Sequence, residues 1–279
     1  MHAIGTLQHS FLASIWRYLH IVRFKISRVL VFRTEMAIWI VMSFLPFAIL
    51  FLIWQELYAD QNSINGYTLA DITTYYLVSA LLSNLTEVHF EGWRSDEIRL
   101  GQIDRFFTKP YYYLTDIVLG ETVGKLLYAS MFLPVFSIFI YWSAEVVGTT
   151  LPPISLITLA RFLALVFVAY LMQLAIGILI TFLTFWFEGA QGLEHFKLLG
   201  ITILSGTLMP LEFLPDWLRT ITNLLPFKFL YAVPIGVLQG RYVLESSDLF
   251  MLAATMVVLG VAVDALWRSG VRKYASSGG

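Results

Sequence analysis

Three long runs without a charged side chain constrain this chain more than any other feature of its sequence. They cover residues 36–55, 126–144 and 162–187. An apolar helix needs about 20 residues to cross about 30 Å of hydrocarbon, so each run is long enough to span a bilayer. Hydrophobic residues make up 58% of the chain and charged residues only 13%, against about 45–50% and about 25% in ordinary globular domains. Lipid must therefore solvate much of the exterior.

Three shorter apolar runs, residues 72–86, 198–211 and 249–263, become spans when flanking residues are included. The first of them follows Thr68 and Asp71, whose spacing is that of a helix capping box. The sequence therefore predicts an all-α polytopic membrane protein, with one transmembrane domain over residues 1–279. Its six transmembrane helices are expected at about residues 36–57, 69–90, 118–144, 157–187, 197–210 and 248–267.

The distribution of lysine and arginine predicts the orientation of these spans, because cytoplasmic loops carry the excess of cations. Most of the cations precede the first span, lie between spans two and three or four and five, or follow the sixth. The few on the opposite side are Arg161, Arg219, Lys228 and Arg241. Both termini should then be cytoplasmic. The first uncharged run begins only after Glu35, so we expect no cleaved signal peptide and a chain that keeps its start.

An amphipathic helix is predicted at residues 11–33, before the first span. Its apolar residues fall within about 100° of arc at helical spacing, with the cations on the other side. Such a helix would lie in the cytoplasmic interface near anionic headgroups, or would pack on the protein's own spans. The apolar stripe consists of Ile15, Leu19, Val22, Ile26, Val29 and Leu30.

Residues 91–116 form the one stretch that is dense in charges of both signs, so they should lie in water. Apolar side chains recur among these charges at roughly helical spacing, which predicts a short helix with one apolar side. That side is either available to a partner or packed on the chain itself. The apolar residues are Leu100, Ile103, Phe106 and Phe107.

Four prolines divide residues 209–240 into pieces that are too short to cross a bilayer. Pro215 suits the first turn of a helix that runs to about Leu225, and a second piece, residues 229–239, stops at Gly240. Broken apolar helices at membrane depth persist only where protein or water satisfies their backbone. We expect residues 210–240 to form a pair of re-entrant or interfacial helices on the outer side. The alternative is a hydrophobic external loop lying flat.

Motifs for catalysis, cofactors and nucleic acid are missing from the sequence. It has no cysteine and a net charge of −1, so thiolate chemistry is excluded and nucleic-acid binding is not expected. The nearest approach to a phosphate-binding loop, Gly124-Lys125, has Leu126 where serine or threonine belongs. The histidines lack metal-ligand spacing. We expect no catalytic residue, no metal and no cofactor on this chain, and ion pairs at i, i+4 between Glu121 and Lys125 and between Asp264 and Arg268.

Residues 97–110 resemble a loop of ABC-2 type transporter permeases with the pattern E-x-x-x-G-x-(I/L)-(D/E)-x-x-(L/F)-x-x-P. Residues 205–217 and 225–227 look like that family's segment after its fifth span. The ending, residues 266–274, is similar to a branch of bacterial permeases often encoded beside a second permease and an ATPase. The resemblance covers nearly the whole chain.

This resemblance implies an exporter subunit of the bacterial cytoplasmic (inner) membrane. A separate nucleotide-binding ATPase would hold ATP and Mg, and a second permease, different or identical, would complete the pathway. The coupling helix implied on the ATPase side comprises Glu97, Arg99, Leu100, Gly101, Ile103, Asp104, Arg105, Phe106, Phe107 and Pro110. The implied outer gate comprises Pro215, Trp217, Leu225, Pro226 and Phe227.

Two alternatives need no ATP: a channel or carrier, and a membrane-embedded lipid-modifying enzyme. A carrier usually has ionisable groups at the midplane and repeated broken spans, whereas this sequence has one broken region and no repeat. An enzyme needs convergent polar side chains, which the sequence does not indicate.

Overall fold

The computed structural model describes residues 21–27, 30–108, 112–148, 154–187 and 191–274, which are almost entirely helical and contain no strand. Residues 21–27 and 30–31 are helical. Most of the predicted amphipathic helix, together with Pro110, lies outside the described residues.

Four helical stretches in the described residues are long and apolar enough to cross a membrane. The first is a broken pair, α1 (Arg33–Met42) and α2 (Leu45–Leu57), with Pro46 in the first turn of α2. The others are α6 (Tyr113–Val147), α7 (Leu156–Leu183) and α11 (Ser246–Lys273). They coincide with four of the six predicted spans.

The other two predicted spans correspond to α3 (Leu69–Thr86) and α8 (Gln191–Leu204), which are shorter. The predicted capping box begins α3: Asp71 N donates to Thr68 Oγ1 at 3.2 Å, and Thr68 N donates to Asp71 Oδ2 at 2.9 Å. Most of α3 is buried, including the polar side chains of Thr73 and Ser79. It packs against α2, α6 and α7, so protein rather than lipid covers it and it does not need an apolar exterior.

Short helices occupy the two ends of this bundle. We call the end that carries residues 87–116 the charged end; it contains α4 (Glu91–Arg99) and α5 (Asp104–Phe107). The opposite end, which carries residues 209–240, is the proline-rich end. It contains α9 (Asp216–Leu224), α10 (Ala232–Leu238) and two 3-10 turns, Leu211–Phe213 and Pro226–Phe229.

The helix α7 is central to the packing, since it contacts α11, α10, α3, α4 and α8. Two apolar cores lie along it. One, with Leu82, Phe132 and Leu230 fully buried, fills the middle and the proline-rich end. The other, with Ile103, Ile117 and Phe182 fully buried, lies beneath the charged end. The charged end thus rests on an apolar core of its own.

Candidate functional site

A buried ion-pair network organises the charged end around Arg94 of α4. The guanidinium of Arg94 donates to Glu97 Oε2 at 2.7 Å and to Asp116 Oδ2 at 2.8 Å. Burial alone lowers the pKa of Arg94, but the neighbouring carboxylates outweigh this effect and raise the pKa above its ordinary value. Arg94 therefore remains charged and ties α4 to the start of α6. The Arg94 cluster comprises Lys25, Arg94, Glu97, Arg105, Tyr113 and Asp116.

Glu97 joins α5 and α6 to this cluster. Its Oε1 atom pairs with Arg105 of α5, and its Oε2 atom accepts a hydrogen bond of 3.1 Å from the Tyr113 hydroxyl. Between α4 and α5 the chain turns at Gly101, whose φ of +73° suits glycine. The position of α5 is therefore set by one carboxylate and one tight turn.

Lys25 connects the N-terminal helical segment to the same cluster. Its Nζ lies 2.8 Å from Asp116 Oδ1. A Cβ atom at Gly120 would lie 3.1 Å from that nitrogen, so glycine provides the room for this approach. Asp116 of α6 is thus a common partner of the N-terminal segment and α4.

A second buried pair fastens α4 to α8. Glu91 pairs with Lys197, whose ammonium also donates to Val88 O at 2.9 Å. On the other side, a Cβ atom at Gly177 of α7 would come within 2.9 Å of Glu91 Oε1 and 3.0 Å of Phe90. The absence of a side chain at Gly177 lets α4 lie directly on α7.

The structure divides the predicted coupling residues into buried and exposed groups. Ile103 and Phe106 are buried in the core beneath the charged end, so they do not present an apolar side to a partner as expected. Leu100 and Phe107 are 54% and 53% exposed. Arg99 pairs with Asp96 at 3.0 Å on the surface. The expectation of one continuous apolar face is wrong for Ile103 and Phe106, because helical spacing does not reveal which side of so short a helix meets the core.

The predicted gate residues at the proline-rich end differ in their exposure. Pro215 precedes α9 and accepts from Leu218 N at 3.0 Å, close to the predicted helix start. Trp217 is 67% exposed, whereas Phe227 packs partly on the apolar core. Leu225 ends α9 and Pro226 begins the following 3-10 turn.

The segment after α9 follows α3 for much of its length. The Tyr231 hydroxyl donates to Glu87 Oε1 at 2.5 Å, near the charged end of α3. At the other end of α3, Arg241 pairs with Asp71 at 2.8 Å. The segment that contains α10 therefore runs between a point deep in the bundle and the proline-rich end. The sequence offered no signal for either contact.

Polar contacts also fix the chain where it enters the proline-rich end. The Tyr67 hydroxyl donates to Glu212 Oε2 at 3.1 Å, and burial, reinforced by Glu212, raises the pKa of Tyr67. The hydroxyl consequently keeps its proton and remains a donor. Arg241 lies over the Tyr67 ring at 4.1 Å from its centroid.

Of the two predicted i, i+4 ion pairs, one forms. Arg268 Nε lies 2.9 Å from Asp264 Oδ1. Lys125 turns away from Glu121 and donates to the carbonyl oxygens of Asn84 and Glu87 at 3.3 and 2.5 Å. The predicted pair with Glu121 does not form. The last carbonyl groups of α3, which lack helical partners, accept hydrogen bonds from the Lys125 ammonium instead.

A cavity of about 1060 Å³ adjoins the Arg94 cluster. It lies between the pair α1–α2 and the helices α3, α4 and α6, and its lining is mostly apolar. Charged side chains gather at its charged end, while Phe47, Leu50 and Tyr76 line the deeper part. A cavity of this size is in the range of small-molecule sites. Sequence reasoning missed it because its walls come from segments far apart in the chain.

Residues 44–278, which include every long helix after α1, match the family described as ABC-2 family transporter protein. The chain belongs to the ABC-2 transporter family. The match confirms the resemblance read from residues 97–110 and 205–227. It also makes the protein a membrane permease component of the ABC-2 type, in a family that generally carries no ATPase of its own and implies an ATPase partner. Curated protein sequences provide no match to this permease.

Proposed function

We propose that this ABC-2 permease is the membrane subunit of an ATP-driven exporter. A separate nucleotide-binding subunit holds ATP and Mg and moves the permease through residues 97–110. ATP hydrolysis on that subunit is thereby coupled to substrate translocation. The permease itself supplies no catalytic residue to the hydrolysis.

The Arg94 cluster is the observation that carries this proposal. A displacement of α5 at the surface reaches Glu97 through Arg105, and Glu97 is held by Arg94 and Tyr113. Arg94 in turn holds Asp116 at the start of the long helix α6. This chain of charge-assisted hydrogen bonds, which is buried from Glu97 inward and half exposed at Arg105, supports such a transfer, because its members resist independent movement.

Only part of the predicted coupling helix meets the ATPase in this proposal. Leu100 and Phe107 provide the apolar contact and Arg99 a charge at its rim, because these side chains are exposed. Ile103 and Phe106 instead anchor α5 to the permease core. Glu97, Gly101, Asp104, Arg105 and Pro110 belong to the same element.

Six spans and cytoplasmic termini complete the proposed topology, in a bacterial inner membrane. The helices alternate in direction from α1–α2 through α3, α6, α7, α8 and α11, and this alternation supports α3 and α8 as spans two and five. Residues 210–240 then form the external re-entrant segment, which the contacts of Tyr231 and Arg241 support. Residues 215–227 serve as the outer gate, and a second permease, identical or different, supplies the rest of the pathway.

The topology can be tested by labelling, because the chain contains no cysteine. Leu100→Cys should react with a membrane-impermeant maleimide only after cells are opened, and Trp217→Cys should react in intact cells. Both side chains are exposed on the permease, so in cells that express it without its ATPase poor access within the protein would not explain a failure to react. Labelling of Leu100→Cys in intact cells would contradict the proposed ATPase side.

Coupling is tested by the double variant Leu100→Ala, Phe107→Ala in the complex that co-purifies with the permease. We expect ATPase binding to weaken by about tenfold or more, as for apolar anchors in other interfaces, and transport-linked ATP hydrolysis to fall with it. Val257→Ala is the matched control, because Val257 is similarly exposed but lies on α11, away from the charged end. Unchanged coupling in the double variant, or transport by the permease without any ATPase, would contradict the proposal.

A further inference from the structure

The cavity beside the Arg94 cluster has chemically different ends. Its apolar part is lined by side chains such as Trp39, Phe47 and Leu50. Along α1 and α2 the lining extends from Glu35 to Leu50, which at 1.5 Å per residue corresponds to about 22 Å. A site with this shape suits an elongated molecule with an apolar body and a polar head at the charged end.

The cations at the polar end are already engaged by the protein. Lys25 and Arg94 bind Asp116. Lys125 donates to the carbonyl oxygens of Asn84 and Glu87 at the C-terminal end of α3. Each lysine and arginine that the described residues place in this lining already has a protein acceptor. An anionic head would have to displace one of these contacts.

The carboxylates at the same end differ in how completely the protein satisfies them. Glu87 accepts from Tyr231 at 2.5 Å and lies 3.6 Å from His89. For Glu121 on α6, which also lines the cavity, the described part of the chain offers neither a hydrogen bond nor an ion pair. The nearby cations Lys25, Arg94 and Lys125 act on it only across a distance. A partly buried carboxylate in this position gains free energy from a cationic partner.

We propose that this cavity binds amphiphiles with a cationic head, with the head at Glu121 and the apolar body along α1, α2 and α3. The site takes a substituted ammonium or a similar organic cation. Its description as the substrate site rests on the proposed transport function, whereas the binding itself does not. The site lies within a single permease chain and next to the cluster that would move during coupling.

The experiment measures binding of radiolabelled dodecyltrimethylammonium to the full permease in nanodiscs of digalactosyldiacylglycerol, an uncharged lipid without an ammonium group, with empty nanodiscs as the baseline. Dodecyl phosphate, which has the same alkyl chain and the opposite charge, is measured in parallel. We expect saturable binding of the ammonium and at least about tenfold weaker binding of the phosphate. Equal affinity for both, or no saturable ammonium binding, would overturn the proposal.

Two variants locate the site. Glu121→Gln keeps the side-chain shape and removes the charge, and should weaken ammonium binding about tenfold, a difference of about 1.4 kcal/mol. Ala80→Phe places a ring in the cavity beside α3 and should abolish it. Glu145→Gln, an exposed position near the far end of α6, should bind as the wild type. Unchanged affinity in Glu121→Gln would overturn the proposal.

Thermal unfolding of each variant separates a lost site from a lost fold, and Glu121→Gln alone suffices if Ala80→Phe does not fold. Binding is measured without an ATPase, so it fails independently of the proposed function. Normal ammonium binding by a permease that does not couple to an ATPase would refute only the exporter assignment. Normal coupling with no binding would refute only the cavity assignment.

Discussion

At the charged end, buried ion pairs connect α4 to α6 and α8 and a half-exposed pair connects it to α5, whereas at the proline-rich end α9 packs mainly on the two adjoining 3-10 turns. Arg94 is fully buried between two carboxylates, while Trp217 of α9 is mostly exposed. The first arrangement is costly to separate, because breaking one of its buried contacts leaves a charge buried without its partner. The second leaves α9 able to shift with little change in packing. This contrast agrees with a driven element at one end and a gate at the other.

The largest effect is expected when the centre of the Arg94 cluster is removed. Arg94→Met retains much of the volume but leaves Asp116 and Glu97 buried with fewer partners. We expect a loss of about 3–5 kcal/mol in the free energy of unfolding, measured as a large fall in the thermal midpoint of the permease in nanodiscs. Arg99→Met is the control, since its exposed pair with Asp96 contributes at most about 1 kcal/mol. Similar midpoints for the two variants would remove the basis for a rigid charged end.

A second test presses α4 away from α7 without removing a charge. In Gly177→Ala the new Cβ would meet the side chains of Glu91 and Phe90 at 2.9 and 3.0 Å, and these buried side chains would have to move. Overpacking of this kind costs about 1–3 kcal/mol, and the same unfolding assay measures it. Gly260→Ala on α11 adds its methyl group where no atom lies within 4 Å and should leave stability nearly unchanged. Equal stability of these variants would show that the charged end adapts more freely than its ion pairs imply.

The smallest effect on stability is expected at the proline-rich end. Trp217→Ala should change the free energy of unfolding by no more than about 0.5 kcal/mol, as for other exposed positions away from special contacts. If α9 is part of the outer gate, the same variant should change the transport rate of the assembled exporter. A large loss of stability would mean that α9 is held as firmly as α4, and the contrast between the ends would fail.

Sequence patterns predicted local features best. The capping box at Thr68 and Asp71, the start of α9 near Pro215, and the pair between Asp264 and Arg268 all follow from residues within a few positions of one another. The family resemblance was likewise readable from a short motif, residues 97–110, and the family match confirms it.

Contacts between distant segments could not be predicted in the same way. Helical spacing gave the same weight to Leu100, Ile103, Phe106 and Phe107, but packing against the chain buries two of them and exposes two. Lys125 had a local partner in Glu121, yet the end of α3 binds it instead. A periodic pattern identifies an apolar side of a helix and not the surface that covers it.

Sequence alone determined that this protein is a helical membrane protein, because long uncharged runs have no stable place in water, and residues 97–110 carried its resemblance to ABC-2 permeases. Tertiary structure alone decided that Arg94 joins Glu97 and Asp116, that α10 follows α3, and that a cavity lined in part by Glu121 opens beside them. The physical reason is range. Hydropathy and helix propensity act over a few residues. The partner of a buried charge is instead set by which donor and acceptor atoms the fold brings within about 3 Å of each other.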